Sequence, residues 1–241
     1  MASLAMTLPP NVSLNKGEIQ RRLLEWYQQN KRDFPWRRTK DGFAVLLAEK
    51  LLQQTRVRES VVNAYNALRS TYPSPESLWK ADPKHIETLV APLGLKYRAA
   101  EIQLMCKDLI EKHNGKVPAE YDALIQLTGV GEYCARATLS FAFGEDVAVV
   151  DTNVARFLHR LCGIDRPLPA NPARKKYLQK LADELLPEGE ARQFNLAVLD
   201  FCALVCKPGR PLCERCPIRS FCAYGSDLAI VTEVQPQEGN Q

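Results

Sequence analysis

The sequence predicts an all-α protein, on two observations. Apolar residues recur at helical spacing through most of the chain, and only Val147–Val150 reads as a strand, too short to build a sheet. Ile19, Leu23, Leu24 and Tyr27 make the first apolar face, which stops at the breaker Asp33-Phe34-Pro35-Trp36. Helices are then expected over 43–55, 59–70, 74–80, 83–91, 97–113, 121–126, 133–143, 153–161, 171–186 and 194–205. The ends, 1–15 and 226–241, are polar and carry Pro or Gln without a sustained apolar pattern, so both read as loose.

At 241 residues and 46% hydrophobic composition the chain can bury one large or two modest cores. Its net charge of +4 is mild, but Asp227, Glu233 and Glu238 are the only charged residues after Gly225. Setting those three negative charges aside raises the remainder to +7, a basic body suited to a polyanion or simply to solubility. No apolar run reaches the length of a membrane span, and MASLAMTLPP lacks the basic start and long apolar core of an export signal. The expectation is a soluble intracellular protein that does not engage membranes, placed in the cytoplasm or nucleoid if its source is a bacterium or archaeon.

Eight cysteines could stand for disulfides. Cys106, Cys134, Cys162 and Cys202 are scattered, however, while Cys206-x6-Cys213-x2-Cys216-x5-Cys222 crowds four into one loop, which favours a metal site. Four thiolates on a short loop can wrap a zinc ion or cap a cubane iron–sulfur cluster. Zinc sites usually come as two Cys-x2-Cys knuckles, and one pair with uneven flanking spacing points to the cluster. Cys202, one helical turn before Cys206, reads as core. The spacing resembles the cluster loop of the helix-hairpin-helix DNA glycosylases of the endonuclease III and MutY type. That resemblance implies a 4Fe–4S cofactor and a loop facing DNA, with Lys207, Arg210, Arg215 and Arg219 placed to meet phosphates.

Leu127-Thr128-Gly129-Val130-Gly131-Glu132-Tyr133 sits between two helical stretches. Gly129 and Gly131 bracket Val130, so the backbone can turn tightly and bring N–H groups to a phosphate. It resembles the superfamily's L-P-G-V-G hairpin, with Thr128 in place of Pro. Two residues after the second glycine, lyases of the superfamily carry a Schiff-base Lys. Tyr133 stands there, and a phenol cannot form an imine, so the resemblance implies a monofunctional enzyme that leaves an abasic site.

Two carboxylates complete the chemistry. Asp151 precedes a helix, where Asp is a favoured cap and where the helix end favours an anion. An anion is what an oxocarbenium-like sugar needs as its base departs, and Val150-Asp151-x-Asn153 resembles the superfamily's catalytic aspartate segment. Glu49 has Val45, Leu46, Leu52 and Gln53 as helical neighbours, and a carboxyl on such an apolar stripe resists ionisation. The alternative is a partly exposed Glu49 paired with Lys50 or Arg56. Ala48-Glu49-x-x-Leu52-Gln53-Gln54-Thr55 resembles the adenine-glycosylase segment that carries the acid for the leaving base, which implies that role for Glu49.

The resemblance spans about Leu23 to Tyr224. It implies a six-helix barrel over 38–145 with its hairpin at 127–133, and a cluster domain from 16–37 plus 146–225. The active site is expected in the cleft between those two helical domains. Gly94-Leu95-Lys96-Tyr97, Phe194-Asn195-Leu196 and the short stretch after the cluster depart from the adenine branch. Asp33-Phe34-Pro35-Trp36-Arg37 and Phe194–Phe201 look more like thymine-mismatch glycosylases. The expected function is excision of thymine or uracil opposite guanine by a monomer acting on mismatched duplex DNA. The alternatives are adenine excision from A·G or A·8-oxoG, or a non-catalytic iron–sulfur module. Gln53, Gln54 and Tyr97 are candidates to fill the gap left by the flipped nucleotide, and Leu196 to line the base pocket.

Overall fold

A computed structural model describes residues 6–55, 57–94 and 97–226, and all regular structure among them is helical. In chain order the first helices are α1 (Pro10–Leu14), α2 (Lys16–Asn30), α3 (Gly42–Leu52), α4 (Glu59–Thr71), α5 (Pro75–Trp79) and α6 (Pro83–Val90). They are followed by α7 (Tyr97–His113), α8 (Tyr121–Leu124), α9 (Glu132–Thr138), α10 (Thr152–Cys162), α11 (Lys176–Leu185) and α12 (Ala191–Leu204). The chain divides into two compact units, one running Asp33–Val147 and the other joining the residues up to Arg32 with those from Ala148 onward. Among the described residues no helix is long and apolar enough to cross a membrane.

In the 33–147 unit, α3 is the central element. Asp41 caps it by accepting from the Ala44 N–H at 2.6 Å, and every residue from Phe43 to Leu51 is buried. A helix apolar on nearly all sides belongs in the middle of a bundle, and α3 packs on α4, α7 and α9. Ser74 and Asp82 start α5 and α6 as side-chain caps, and both helices lie against α7. After Thr138 the α9 spiral widens into a π-type turn through Leu139–Phe143.

The other unit is built on α2 against α12, with α10 packed on both α12 and α11. Ile19, Leu23, Leu158, Leu178, Leu181 and Phe201 form its core. Its one fully buried carboxylate among the described residues, Asp200, accepts from the Arg32 Nε at 2.6 Å and from the Arg32 N–H at 2.9 Å, which fastens the end of α2 onto α12.

Two expectations need correction. Residues 6–15 are not loose: Leu8 and Val12 are buried, α1 forms, and the Leu8 N–H donates to Glu184 Oε2 at 2.9 Å. Two apolar side chains suffice to anchor so short a segment, which periodicity over longer windows overlooks. The loose tail expected from residue 226 onward falls on residues 227–241, outside the described ones. Nor do residues 147–150 pair as a strand. Side chains satisfy that segment instead: Asp183 Oδ1 accepts from the Ala148 N–H, Gln179 Nε2 donates to the Ala148 carbonyl, and Asn195 Oδ1 accepts from the Val149 N–H. Only the tertiary fold provides those partners.

Candidate active site

The sequence candidates divide between the units. Glu49, Gln53, Gln54, Tyr97, Tyr133 and the hairpin glycines belong to the 33–147 unit; Asp151, Leu196, Lys207, Arg210 and the four loop cysteines belong to the other.

Glu49 sits on α3 and is 3% exposed, which excludes the partly exposed alternative. Lys50, fully buried, gives its ammonium to Glu101 Oε2 at 2.8 Å. Arg56, the other partner considered, lies outside the described residues. Burial, reinforced by the Glu49 carboxylate, pushes the thiol of Cys134 up, and α3, which carries Glu49, packs on α9, which carries Cys134 and Tyr133. Tyr133 is half-buried in the first turn of α9.

At the C-terminal end of α3 the chain turns sharply. The buried Arg98 guanidinium donates to the Leu51 carbonyl at 2.8 Å, to Thr55 Oγ1 at 3.0 Å and to the Gln53 carbonyl, taking up acceptors that the helix end leaves free. Gln54 is exposed and held at φ 54°, a left-handed conformation uncommon outside glycine. Strain of this kind concentrates where a side chain must be aimed. Tyr97 opens α7 and is 51% exposed, while Leu95 and Lys96 before it are not described.

The hairpin forms as a tight turn in which the Val130 N–H donates to the Leu127 carbonyl at 3.0 Å. Gly129 adopts φ 70°, a conformation that favours glycine, and a Cβ there would lie 2.3 Å from Lys50 Nζ and displace that ammonium. Gly131 is the residue before α9, and its carbonyl accepts from Ala135 at 2.9 Å. Thr128, in place of proline, uses the N–H that proline would lack: N–H and hydroxyl donate to Asp108 Oδ2 at 2.8 and 2.6 Å. Burial works against the Asp108 charge, yet hydrogen bonds from Lys112 and Thr128 outweigh it and hold the carboxyl below its ordinary range.

In the other unit, Asp151 caps α10. Its Oδ1 accepts from the N–H groups of Asn153 and Val154 at 2.8 and 2.7 Å, and its Oδ2 from Asn153 Nδ2 at 2.8 Å. Asn153 Oδ1 in turn accepts from Arg156 Nη1 at 3.1 Å, and Arg156 donates to the Cys206 carbonyl from Nε at 3.2 Å and from Nη2 at 2.9 Å. A hydrogen-bonded chain therefore runs from Asp151 to the start of the four-cysteine loop. Arg160, one turn further along α10, donates to Cys206 Sγ at 3.5 Å and to the carbonyls of Lys207 and Gly209.

All eight cysteines are free of disulfides. Cys206, Cys213, Cys216 and Cys222 line one pocket together with Phe157, Arg160 and Ile218. Burial, with the neighbouring thiols adding, pushes Cys216 up to about 12 and Cys222 up to about 11. Gathered thiols of this kind ionise when a cation compensates them. Among the described residues no three Cys, His, Asp or Glu side chains converge as ligands of a single metal ion. Four thiol side chains around one pocket are a donor set that suits a thiolate-ligated metal group. Cys202 is fully buried in the core and does not line the pocket. Lys207 and Arg210 are exposed, and Leu196 is 8% exposed on α12.

The family model described as HhH-GPD superfamily base excision DNA repair protein matches residues 47–188. The chain belongs to that superfamily. Thymine-DNA glycosylase of Aeropyrum pernix is 33% identical over 218 residues, spanning 88% of this chain and 97% of its own. Human adenine DNA glycosylase is 37% identical over 209 residues, covering 83% of this chain but 38% of its own length. Among solved structures, a thermostable thymine-DNA glycosylase superposes with a TM-score of 0.83 at 31% identity, over 90% of this chain and 99% of that one. Within the superfamily frame, no site role fell from sequence alone to Lys50, Glu101, Asp108, Asn153, Arg156 and Arg160. One signal was available: Asn153, Arg156 and Arg160 recur at helical spacing behind Asp151.

Proposed function

We propose that this base excision DNA repair protein is a monofunctional glycosylase that removes thymine or uracil mispaired with guanine. The observation that carries the reading is the set of three side chains: a buried carboxyl at Glu49, a carboxylate at Asp151 receiving three hydrogen bonds, and a phenol at Tyr133 where lyases carry an amine. The mispaired nucleotide is flipped out of the stack, which costs less than extruding a matched one. Glu49 gives a proton to the departing base. Asp151 stabilises the positive charge that develops on the sugar, and water adds at the anomeric carbon. No amine stands at position 133 to trap the sugar, so the strand stays intact.

The hairpin turn and the exposed Lys207 and Arg210 supply phosphate contacts, with Gln53, Gln54 and Tyr97 facing the gap and Leu196 an apolar wall for the base. Cys206, Cys213, Cys216 and Cys222 would hold a 4Fe–4S cluster, and four such ligands would tie their loop together. The protein acts as a monomer.

Likeness in sequence and fold to thymine-DNA glycosylases supports the pyrimidine substrate. The adenine relative and the Gln53-Gln54-Thr55 segment favour one second reading, adenine opposite guanine or its oxidised form. A panel of labelled duplexes carrying T·G, U·G, A·G, A·8-oxoG and matched pairs, treated with alkali, separates the two. Alkali-dependent breaks at T·G and U·G are expected. Breaks confined to the adenine duplexes, or a covalent adduct trapped by borohydride, would overturn the proposal. Iron and sulfide in the purified protein, with broad visible absorbance, are expected for the cofactor; zinc alone would refute it.

A further inference from the structure

Lys50 takes no part in the chemistry above, yet it is the one lysine with no exposed side-chain surface among those placed in the described core. Its three ammonium protons meet three acceptors: Glu101 Oε2 at 2.8 Å, the Gly129 carbonyl at 2.9 Å and Gln53 Oε1 at 3.1 Å. Gln53 Nε2 closes a ring by donating to the same Gly129 carbonyl at 3.0 Å. The acceptors come from three different segments. Gln53 follows α3, Gly129 is the hairpin turn, and Glu101 lies one helical turn after the exposed Tyr97 on α7. These are the segments assigned to DNA.

Folding alone gives little reason for a charge at this position. A buried ion pair loses solvation that an apolar side chain of similar length would not, and such replacements are often neutral or stabilising. What an apolar residue cannot do is fix the direction of the Gly129 carbonyl and the Gln53 amide. A hydrogen-bonded ammonium does both at once.

We infer that Lys50 is a positioning residue for duplex DNA: it holds the Gln53 side chain and the Gly129 turn in the one arrangement that grips an extruded nucleotide. The inference deepens the proposed function, resting on its assignment of Gln53 and the hairpin to DNA, but not on which base is removed.

The test compares the full-length protein with Lys50→Met, Lys50→Gln and Lys50→Met/Glu101→Gln. The ligand is a duplex carrying a tetrahydrofuran abasic analogue opposite guanine, which asks nothing about base identity. Single-turnover base release at saturating enzyme and thermal melting are measured alongside. Lys50→Met is expected to raise the Kd at least tenfold while the saturated rate falls less than threefold. Lys50→Gln, which fits the same space with fewer hydrogen bonds, covers the case in which the Met variant does not fold, and should show the same loss. The double variant restores charge balance without the hydrogen bonds, and it too should bind at least tenfold more weakly. Recovery of binding to within threefold in the double variant would reduce Lys50 to a counter-charge. Wild-type affinity in a folded Lys50→Gln protein would likewise end the inference. A wild-type protein that grips the abasic duplex yet leaves T·G intact would sink the pyrimidine reading, while the Lys50 comparison stands.

Discussion

The two halves of the machinery are fixed in opposite ways. In the 33–147 unit Glu49, the proposed acid, is buried on a mostly apolar helix, and the turns beyond that helix are held by ions: Lys50 on Glu101 and Gly129, Arg98 on the end of α3. In the other unit Asp151 is half-buried and accepts directly from neutral donors, the amides of α10 and the Asn153 side chain, with the Arg156 guanidinium one step further out, bridging Asn153 to a backbone carbonyl. The proposed catalysis by an acid and an anion asks for two carboxyls in unlike surroundings, and Glu49 and Asp151 have them. The comparison also separates two costs. Changes at the polar cap should affect rate more than stability, and changes at the Lys50 ring should affect DNA binding more than the saturated rate.

The sharpest break of that contrast is Asp151→Asn. Asparagine caps a helix about as well as aspartate, so the melting temperature should hold while base release falls by about 1,000-fold. Single-turnover assays with a parallel binding assay on the same mismatch check it; an unchanged rate would discard the mechanism. Glu49→Gln comes next, with release expected to drop about 100-fold, as for loss of a general acid. The loss should be smallest for substrates whose base leaves most readily, and comparing T·G with U·G and more electron-poor pyrimidines reads it directly.

Arg156→Met cuts the chain from Asp151 to the Cys206 carbonyl and leaves Asn153 free to turn. Misplacing a catalytic group slightly is costly, and release should slow by about tenfold. If only melting changes, the chain is structural.

Thr128→Pro restores the superfamily's usual hairpin residue but removes both hydrogen bonds to Asp108. It should destabilise by about 1–2 kcal/mol, measured in urea. Because the Asp108 carboxyl is held low in the fold, its contribution is present above the ordinary value of 3.8 and is lost as pH falls through the lower folded value. The gap between wild type and variant should therefore narrow on acidification below pH 3.8. The smallest effect is that of Gln54→Gly, which relieves the left-handed backbone and should leave stability within about 1 kcal/mol of wild type. Weaker duplex binding without lost stability would mark Gln54 as a DNA contact.

Much of this was legible in the chain itself. Periodicity located α2 through α12, missing by five residues at the start of α11 and the end of α9, because an amphipathic helix writes its buried face at three- and four-residue intervals. The cysteine spacing, the glycine-bracketed turn, the phenol two residues beyond it and the Asp before α10 are likewise local patterns, readable wherever they fall. The widened turn after α9 and the strandless stretch 147–150 were not legible, since neither has a local signature.

What the tertiary structure alone decided is where the long charged side chains go. Lys50 interrupts an apolar helix and looks like a surface residue by type, but it ends on groups 51 and 79 positions away. Arg156 reaches a carbonyl 50 positions on. Pattern along a chain encodes which face is buried; it does not encode which distant acceptor will stand at the end of a flexible side chain. That pairing exists only once the helices have packed, when a buried ammonium must find every acceptor it needs or not be buried at all.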